Sequence, residues 1–261
     1  MTDVPVRAVK KALDLLDLLL LETSWESGAS LSALAESMGI PVNTTHNLLK
    51  TMTHCGYIAR TPEGHYTVGV KVRHLGQMQR MKSDVTAHAI LPVLHTLNAH
   101  VQEGLNFTFL LHGRRVLLAH VNPRQAVRVD QDLIERLSIY ALATGRVLLA
   151  EGDKSEVETA IERYGMPGEQ WDDIQDAATL SDALAQVRAA GCAVVEHPEY
   201  GTIAYAVSVP VPHFVTCALG CYVPRFRCDD TRGEEILARL RESATRLTEV
   251  LTLEGVPTWT T

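Results

Sequence analysis

The pattern of apolar and polar positions over residues 30–57 predicts two short helices joined by a tight turn. Ser30 is a favourable N-cap for the first helix, and Gly39 supplies the left-handed residue that ends it. Asn43 is predicted to cap the second helix, which ends before Gly56. The two helices together have the spacing of a helix-turn-helix.

The second of these helices has two distinct faces. At about 100° per residue, one face carries Thr45, Leu48, Leu49 and Met52. The other face carries side chains that can hydrogen-bond to DNA: Asn43, Thr44, His46, Asn47, Lys50, Thr51 and His54. Such a polar face on a two-helix support is typical of a recognition helix in the major groove. For this segment alone, an ordinary amphipathic helix with a solvated face is the alternative.

The residues around this segment favour DNA binding. Residues 57–60 and 65–68 are predicted as two short strands, and Thr61-Pro-Glu-Gly64 forms the turn between them. An earlier helix is predicted from Val6 to Thr23. Its predicted buried stripe consists of Val9, Ala12, Leu13, Leu16, Leu19 and Leu20. Three helices followed by a hairpin make a winged helix-turn-helix, which is more specific than the two-helix turn.

The remaining chain predicts a mixture of helices and antiparallel strands. Helices are expected over 70–81 and 85–100, with a kink or a late start at Pro92. Strands are then expected over 105–111, 116–121, 126–130, 192–196, 203–209 and 215–223. Further helices are expected over 144–150, 154–164, 181–190 and 230–253. This order indicates an α+β sensor built on a central sheet.

Charge divides the chain unevenly. Residues 1–80 carry eight Lys/Arg and seven Asp/Glu, whereas residues 81–261 carry sixteen and twenty-four, within a net charge of −7. Because phosphate repels the acidic part, the first eighty residues are the only plausible DNA surface. That surface is barely basic, so we expect weak non-specific affinity and a benefit from dimerisation.

The sequence predicts a cytoplasmic protein that does not enter a membrane. The apolar run over residues 15–21 is interrupted by Asp17 and is too short to span a bilayer. No small-residue cleavage site follows it, which argues against a signal peptide. The five cysteines form no CxxC pair, so we expect reduced and mostly buried thiols.

Motifs of enzymes and metal sites are missing from the sequence. There is no Gly-x-Ser-x-Gly elbow, P-loop, GxGxxG after a strand or HExxH, so we predict no catalytic residue and no cofactor. His197 and His213, with Glu196 beside the first, lack a third and fourth metal ligand, so we expect no metal. Two alternatives stay open: a small-molecule enzyme, and a small-molecule-sensing protein whose winged domain contacts a protein partner.

Several sequence blocks resemble those of one regulator family. The first part of the chain contains Arg7-Ala-Val-Lys-Lys-Ala-Leu-Asp-Leu-Leu, Leu31-Ser-Ala-Leu-Ala-Glu-Ser-Met-Gly-Ile-Pro, Thr44-Thr-His-Asn-Leu-Leu-Lys-Thr-Met, Cys55-Gly-Tyr-Ile and Tyr66-Thr-Val-Gly. The second part contains Ala141-Leu-Ala-Thr-Gly-Arg-Val-Leu-Leu-Ala150, Ala190-Gly-Cys-Ala-Val194 and Ala206-Val-Ser-Val-Pro-Val211. Along nearly its whole length the chain resembles the IclR family of bacterial transcription regulators.

The resemblance implies a domain order and a function. It implies a winged helix-turn-helix domain over 1–69, linker helices over 70–100 and a GAF/PAS-like effector-binding domain over 101–261. Such a protein is expected to bind a palindromic operator of a catabolic or metabolic operon, as a homodimer or homotetramer that responds to a small molecule. The family often has a basic residue where this chain has Val42, and usually has Arg where it has Asn47. We therefore expect fewer phosphate contacts.

The effector site is expected at the start of the helix that contains residues 143–145. The free backbone N–H groups of Ala143, Thr144 and Gly145 suit an anion, although N-capping by Thr144 is an equally simple interpretation. In family members that bind small oxo-acids, an Asp, a Cys and two Ser residues complete the site. The matching positions lie at or near Val195, Tyr205, Gly220 and Tyr222. The resemblance therefore implies a different pocket, for a larger or aromatic acid or a sugar derivative. Further candidates are Asn106, Arg128 and Glu196.

Overall fold

The computed structural model describes residues 6–21, 28–123, 125–212 and 215–253. These residues form two compact units, divided between Gln79 and Arg80. The predicted end of the first helix at Thr23, and His213, lie outside the described residues. Each unit is built around its own hydrophobic core.

The first unit is a winged helix-turn-helix followed by one more helix. Its elements are α1 (Arg7–Leu21), α2 (Leu31–Met38), α3 (Val42–His54), β1 (Ile58–Arg60), β2 (Tyr66–Val68) and α4 (Val70–Arg80). The two strands pair antiparallel, with Ile58 opposite Val68 and Arg60 opposite Tyr66. Ala29 adds a single bridge to Tyr66. The predicted helices and hairpin are confirmed.

The helix ends show why this part of the chain folds as predicted, with one exception. Ser30 Oγ accepts a hydrogen bond of 3.2 Å from the Ala33 amide, and Gly39 ends α2 at φ 60°. The prediction that Asn43 caps α3 is wrong. The helix begins two residues earlier than that cap implies, at Val42 after Pro41, whose extended backbone (φ −57°, ψ 140°) occupies the N-cap position without a side-chain hydrogen bond. Asn43 therefore lies inside the first turn.

The core of the first unit gathers one edge of α1 against α2, α3 and the hairpin. Its buried side chains are Leu15, Leu19, Leu34, Leu49, Ile58, Tyr66 and Val68. The predicted stripe of α1 is therefore partly wrong. Val9 and Leu13 are 55% and 56% exposed, because α1 is turned so that Leu15 faces the other elements instead.

The second unit contains a five-stranded antiparallel sheet with the order β4-β3-β7-β6-β5. The strands are β3 (Gly104–Leu111), β4 (Arg114–Val121), β5 (Cys192–His197), β6 (Thr202–Val209) and β7 (Cys217–Pro224). The helices are a π-helical segment (Met81–Ile90), α5 (Leu91–Val101), α6 (Gln131–Arg136), α7 (Ala143–Glu151), α8 (Lys154–Tyr164), α9 (Ala177–Ala190) and α10 (Asp230–Leu253). Single 3₁₀ turns occupy Ile139–Ala141, Pro198–Tyr200 and Arg225–Arg227.

Helices cover both faces of this sheet. The helix α7 lies on one face, where it packs with α9 against small side chains of the strands such as Ala204, Ala206 and Ala218. The helices α5 and α10 pack on the sheet as well, α10 mainly against β6 and α5 mainly against β4. Because successive strand residues point to opposite faces, this layering decides which side chains can meet α7.

Four local predictions differ from the structure for physical reasons. The β3–β4 turn contains only His112 and Gly113, both with positive φ, so β4 begins at Arg114. Residues 126–130 form no strand. The helix α9 begins at Ala177 because the Asp176 carboxylate accepts hydrogen bonds from the next amides. Pro92 lies in the first turn of α5, where its missing N–H is tolerated, so the chain stays helical there.

Candidate functional site

The polar face of α3 is open to solvent. Thr45 and Leu49 are buried and hold the helix on the first unit's core. The predicted DNA-contacting side chains lie on the other side: Asn43, His46, Asn47, Lys50, Thr51 and His54 are exposed, and Thr44 is half-buried. The helix therefore presents these groups together, as a groove-reading surface requires.

Two features determine what this face offers to DNA. The Thr51 hydroxyl donates to the Asn47 carbonyl at 2.9 Å, so its proton is already used within the helix. Pro41, the N-cap residue of α3, makes no side-chain hydrogen bond to the first amides of the helix, and amides at a helix N-terminus can bind a phosphate. Lys50 is the only lysine or arginine in α3. Most side chains on the exposed face of this helix can therefore contact DNA only as neutral hydrogen-bonding groups.

The hairpin and the start of α4 add two cations that the sequence predictions did not include. The Arg60 guanidinium lies 5.6 Å from the centre of the Tyr66 ring and donates to the Gly64 carbonyl at 3.0 Å. The Lys71 ammonium lies 4.8 Å from the centre of the Tyr57 ring. Both side chains are exposed, and aromatic contacts of this kind keep a cation on one part of the surface.

In the second unit, the start of α7 lies unusually close to the preceding turn. A Cβ on Gly145 would lie 1.8 Å from the Ile139 carbonyl oxygen, so only glycine permits this approach. The N-cap residue is Leu142, and it supplies no side-chain hydrogen bond. The Thr144 hydroxyl instead accepts a hydrogen bond of 2.9 Å from Arg115 Nε. The interpretation of Thr144 as the N-cap is therefore wrong.

Arg146 fixes this start of α7 from the other side. Its Nε donates to the Tyr140 carbonyl and its Nη2 to the Gln170 carbonyl, both at 2.9 Å, and its guanidinium lies 4.5 Å from the centre of the Trp171 ring. Burial lowers the pKa of Arg146 to about 10, and burial raises the pKa of Tyr140 to about 12. Both groups therefore keep their ordinary charge at neutral pH.

A buried polar cluster lies between this helix start and the sheet. Asn106 pairs with Gly220 across β3 and β7, and a Cβ on Gly220 would lie 2.6 Å from Asn106 Oδ1 and 2.5 Å from Thr144 Cγ2. Asn106 is 0% exposed, and among the described residues neither of its amide atoms has a hydrogen-bond partner. The same holds, within the described part of the chain, for the hydroxyl of Tyr222, two residues along β7.

Arg115 completes this cluster, although it lies outside both predicted strands, 105–111 and 116–121. Its side chain is only 5% exposed. Besides the bond to Thr144, its Nη1 donates to Glu135 Oε1 at 2.8 Å. Its Nη2 has no partner among the residues that are described. A predicted turn of two residues would have placed Arg115 in β4. In that register Arg115 pairs with Leu110 and lies on the same face of the sheet as Asn106.

The structure brings together only part of the predicted effector set. Ala143, Thr144, Gly145, Asn106, Gly220 and Tyr222 lie at this cluster, and Val195 lies on the same face as an apolar neighbour.

Three of the predicted residues lie elsewhere. Tyr205 points to the opposite face, where its hydroxyl is 3.2 Å from Cys228 Sγ and a Cβ on Gly233 of α10 would touch it. Burial there raises the pKa of Tyr205. Glu196 and Arg128 are exposed, and Glu196 lies 3.5 Å from Arg225 Nε.

Other site chemistry is sparse in the described residues. They contain no group of three or more His, Cys, Asp or Glu side chains that could hold a metal ion. All five cysteines are free thiols: Cys217, Cys221 and Cys228 are buried, Cys192 is half-buried and Cys55 is exposed. Within the described ranges, no helix is long and apolar enough to cross a membrane.

Comparison with known proteins identifies the family. A family model for the C-terminal part of IclR, a bacterial transcriptional regulator, matches residues 78–249, and a model for the IclR helix-turn-helix domain matches residues 8–62. The chain belongs to the IclR family. Both halves of the resemblance seen in the sequence are thereby confirmed.

Three relatives of this IclR-family chain cover between 67% and 94% of its length. It is 26% identical to the DNA-binding transcriptional repressor YiaJ of Escherichia coli over 90% of this chain and 86% of YiaJ. It is 28% identical to the acetate operon repressor of Salmonella typhimurium over 67% of this chain and 65% of that protein. An IclR homolog from Microbacterium hydrocarbonoxydans, solved with 4-hydroxybenzoate, shares its fold with a TM-score of 0.55 at 20% identity, covering 94% of this chain and 99% of that one.

These matches settle the class of function. The IclR-family protein is a ligand-responsive, DNA-binding transcription regulator, and the relatives that it matches are transcriptional regulators. The family binds DNA and small-molecule effectors and does not consist of enzymes. The enzyme alternative is therefore dropped.

Proposed function

We propose that this regulator binds operator DNA in the cytoplasm through the exposed face of α3. The observation that carries this proposal is the joint exposure of Asn47 and Lys50 on a helix whose opposite side is buried. In this arrangement Lys50, Arg60 and Lys71 contact phosphates, which position the protein, and Asn47 reaches base edges.

The regulator acts as a homodimer or homotetramer on a palindromic site. An apolar stripe on α1 supports this part of the proposal, because Val6, Val9 and Leu13 are all more than half exposed and follow one another at helical spacing. A second copy would cover this stripe and double the phosphate contacts of a weakly basic domain. Two-fold protein symmetry then requires a pseudo-palindromic operator.

In this proposal, residues 1–69 bind DNA and residues 101–261 bind the effector. Residues 70–100 link these two domains. The target is a catabolic or metabolic operon, as the name of the acetate operon repressor suggests for that relative. The effector site is the buried cluster at α7. It is formed by Ala143, Thr144, Gly145, Asn106, Val195, Gly220 and Tyr222.

A binding titration tests the DNA-reading role of α3. Fluorescently labelled fragments tiled across the DNA upstream of the protein's own coding sequence are titrated with the full chain. Lys50→Ala should weaken binding to every fragment that binds, and should flatten the dependence on log salt by about 0.9 because one phosphate contact is lost.

The control for this experiment is Lys154→Ala, which removes the same charge from an exposed position on α8. This variant should bind as the wild type does. Equal weakening by both substitutions, or no binding of the wild type to any fragment, would contradict the proposal and favour a winged domain that contacts a protein partner.

A further inference from the structure

We propose that the exposed face of α10 is an interface at which two copies of this chain pair their α10 helices antiparallel, through alternating arginines and glutamates. This contact is separate from the one proposed at α1 and does not depend on the DNA-binding function. The partner that fits this face is a second copy of the chain, because the charge pattern of the helix becomes complementary to itself when one helix is reversed.

The charges on α10 repeat every seven residues. The sequence Arg-x-x-Glu occurs three times in succession along this helix, at Arg232–Glu235, Arg239–Glu242 and Arg246–Glu249. A seven-residue period keeps side chains on one narrow stripe of a helix, as it does for the charged positions that flank a coiled-coil contact. Buried residues such as Leu240 and Leu247 occupy the other side of α10.

The stripe is exposed and only partly paired within the molecule. In the second repeat, Arg239 Nη1 lies 3.1 Å from Glu242 Oε2, and the Glu242 side chain is 73% exposed. Such exposed pairs contribute little to stability, so their members can readily exchange partners. In the third repeat, Arg246 and Glu249 are exposed and form no ion pair with each other or with any other described residue.

A groove beside the stripe provides space for the side chains of a partner. It has a volume of about 420 Å³, and its walls include Thr96 and His100 of α5 and all four charged residues of the second and third repeats. Ala238 and Thr245, which precede the last two glutamates of the stripe by four residues, are small and exposed. A second helix can therefore approach α10 closely enough for arginine side chains to reach across.

Reversing one of two helices brings opposite charges level with each other. In an antiparallel pair centred between Leu240 and Arg241, the level pairs are Arg232 with Glu249, Glu235 with Arg246 and Arg239 with Glu242. Two-fold symmetry forms each of these pairs twice, over about 26 Å of helix at 1.5 Å per residue. A parallel pair in register would instead place like charges level, so the pattern selects the antiparallel arrangement.

The charge of the surrounding unit favours contact at this helix over contact elsewhere. Residues 81–261 carry sixteen Lys/Arg and twenty-four Asp/Glu, so two copies of this part of the chain repel each other. The stripe contains three charges of each sign and is therefore neutral as a whole. Association through it should weaken as salt is added, because salt screens exposed ion pairs.

A background variant of the full chain isolates this contact. Val9→Lys combined with Leu13→Lys places charges on the exposed apolar stripe of α1 and should prevent association there. The background protein should still form a dimer through α10, as measured by sedimentation equilibrium. Because the α1 contact is removed in every sample, the result does not depend on whether α1 associates or whether the protein binds DNA.

Charge reversals in this background test the α10 contact. Arg239→Glu with Arg246→Glu should weaken the dimer by at least about tenfold, because like charges become level with each other. Glu235→Arg with Glu242→Arg should do the same. An equimolar mixture of these two variants should dimerise again, since every reversed charge then meets an opposite one. A stripe that only stabilised its own helix would show no such complementation.

The matched control is Arg163→Glu with Arg188→Glu in the same background. It makes the same change in charge at exposed positions of α8 and α9 and should leave the dimer intact. If either double reversal fails to fold by circular dichroism, Arg239→Glu and Glu242→Arg are used singly, and their mixture should dimerise more strongly than either alone.

Four outcomes would overturn the inference. They are a monomeric background protein, reversal variants that dimerise as the background does, a control that dissociates as much as the reversals do, and a mixture of complementary variants that stays monomeric.

Discussion

At the scale of single residues, Asn47 gives the recognition helix a neutral amide where the IclR family usually has arginine. Its side chain is exposed, and the bond from Thr51 engages only its backbone carbonyl. An asparagine amide can bind adenine through two hydrogen bonds, whereas it adds little electrostatic attraction to phosphate. The residue should therefore contribute to sequence preference more than to general affinity.

Binding to operator variants tests this role of Asn47. Asn47→Ala should lose about 1–3 kcal/mol on the preferred operator and much less on operators already mutated at the contacted A·T pair. A uniform loss over all sequences would show that Asn47 contacts the backbone rather than a base. Competition titrations on a small set of operators give both quantities.

Gly69, between β2 and α4, occupies a position where the backbone leaves no room for a side chain. A Cβ at this position would lie 2.3 Å from the Gly56 carbonyl oxygen, whereas a Cβ on Gly76, inside α4, meets no atom within 4 Å. Gly69→Ala should destabilise the first unit by about 1–3 kcal/mol because backbone must shift. Gly76→Ala should be neutral or stabilising by up to about 1 kcal/mol. Urea unfolding of both variants measures the contrast, and equal effects would contradict it.

The sequence predicted which residues form the exposed face of α3 better than it predicted which residues form the effector cluster. The exposed and buried sides of α3 follow from a 3.6-residue period that every residue of the helix obeys. Arg115 was missed because its burial depends on a hairpin turn two residues long, whereas the predicted strands 105–111 and 116–121 leave four residues between them. Tyr205 lies on the face away from α7 because adjacent strand positions point to opposite faces, so a position matched only to within one residue does not determine the face.

At the scale of elements, local signals placed most helices and strands within a few residues. Ser30 and Gly39 set the ends of α2 through cap interactions that operate within one turn. The region after β4 was less predictable, because residues 126–130 alternate like a strand but pair with no neighbour in the sheet. Instead of a strand partner, a side chain distant in sequence binds this segment: Arg227 Nη1 donates to the Val127 carbonyl at 3.0 Å.

The same arginine connects the first residues of β3 to the turn after β7. Arg227 Nε and Nη2 donate to the two oxygens of Glu103 at 2.9 Å and 2.8 Å, and this hydrogen bonding raises the pKa of Arg227. The Glu103 side chain is only 5% exposed. Such a bidentate buried pair should hold the sheet's β3 and β7 ends together.

Stability measurements on two glutamates test this connection. Glu103→Ala should destabilise the protein by about 2–3 kcal/mol, because it removes the buried carboxylate that accepts two hydrogen bonds from the partly exposed Arg227 guanidinium. Glu242→Ala breaks the exposed pair with Arg239 and should change stability by less than about 1 kcal/mol. Chemical unfolding monitored at the second unit compares them. Similar small losses would show that the buried pair has no special role.

At the scale of the whole molecule, the division of charge matches the division of function. The acidic part from residue 81 onward contains the sheet and the proposed effector cluster, and the first eighty residues, at net +1, contain the exposed face of α3. Because the DNA-binding unit has little positive charge, two copies on one operator would provide the phosphate contacts that one copy lacks.

A hydroxyl-radical footprint of the full chain on DNA from upstream of its own coding sequence tests most directly how the regulator reads its operator. We expect two protected half-sites related by a two-fold axis and separated by about 10 base pairs or a multiple of that spacing. The protection should disappear when Asn47 and Lys50 are both replaced by Ala. Protection without half-sites, or protection that survives this double substitution, would contradict the claim that α3 of a symmetric oligomer reads the operator.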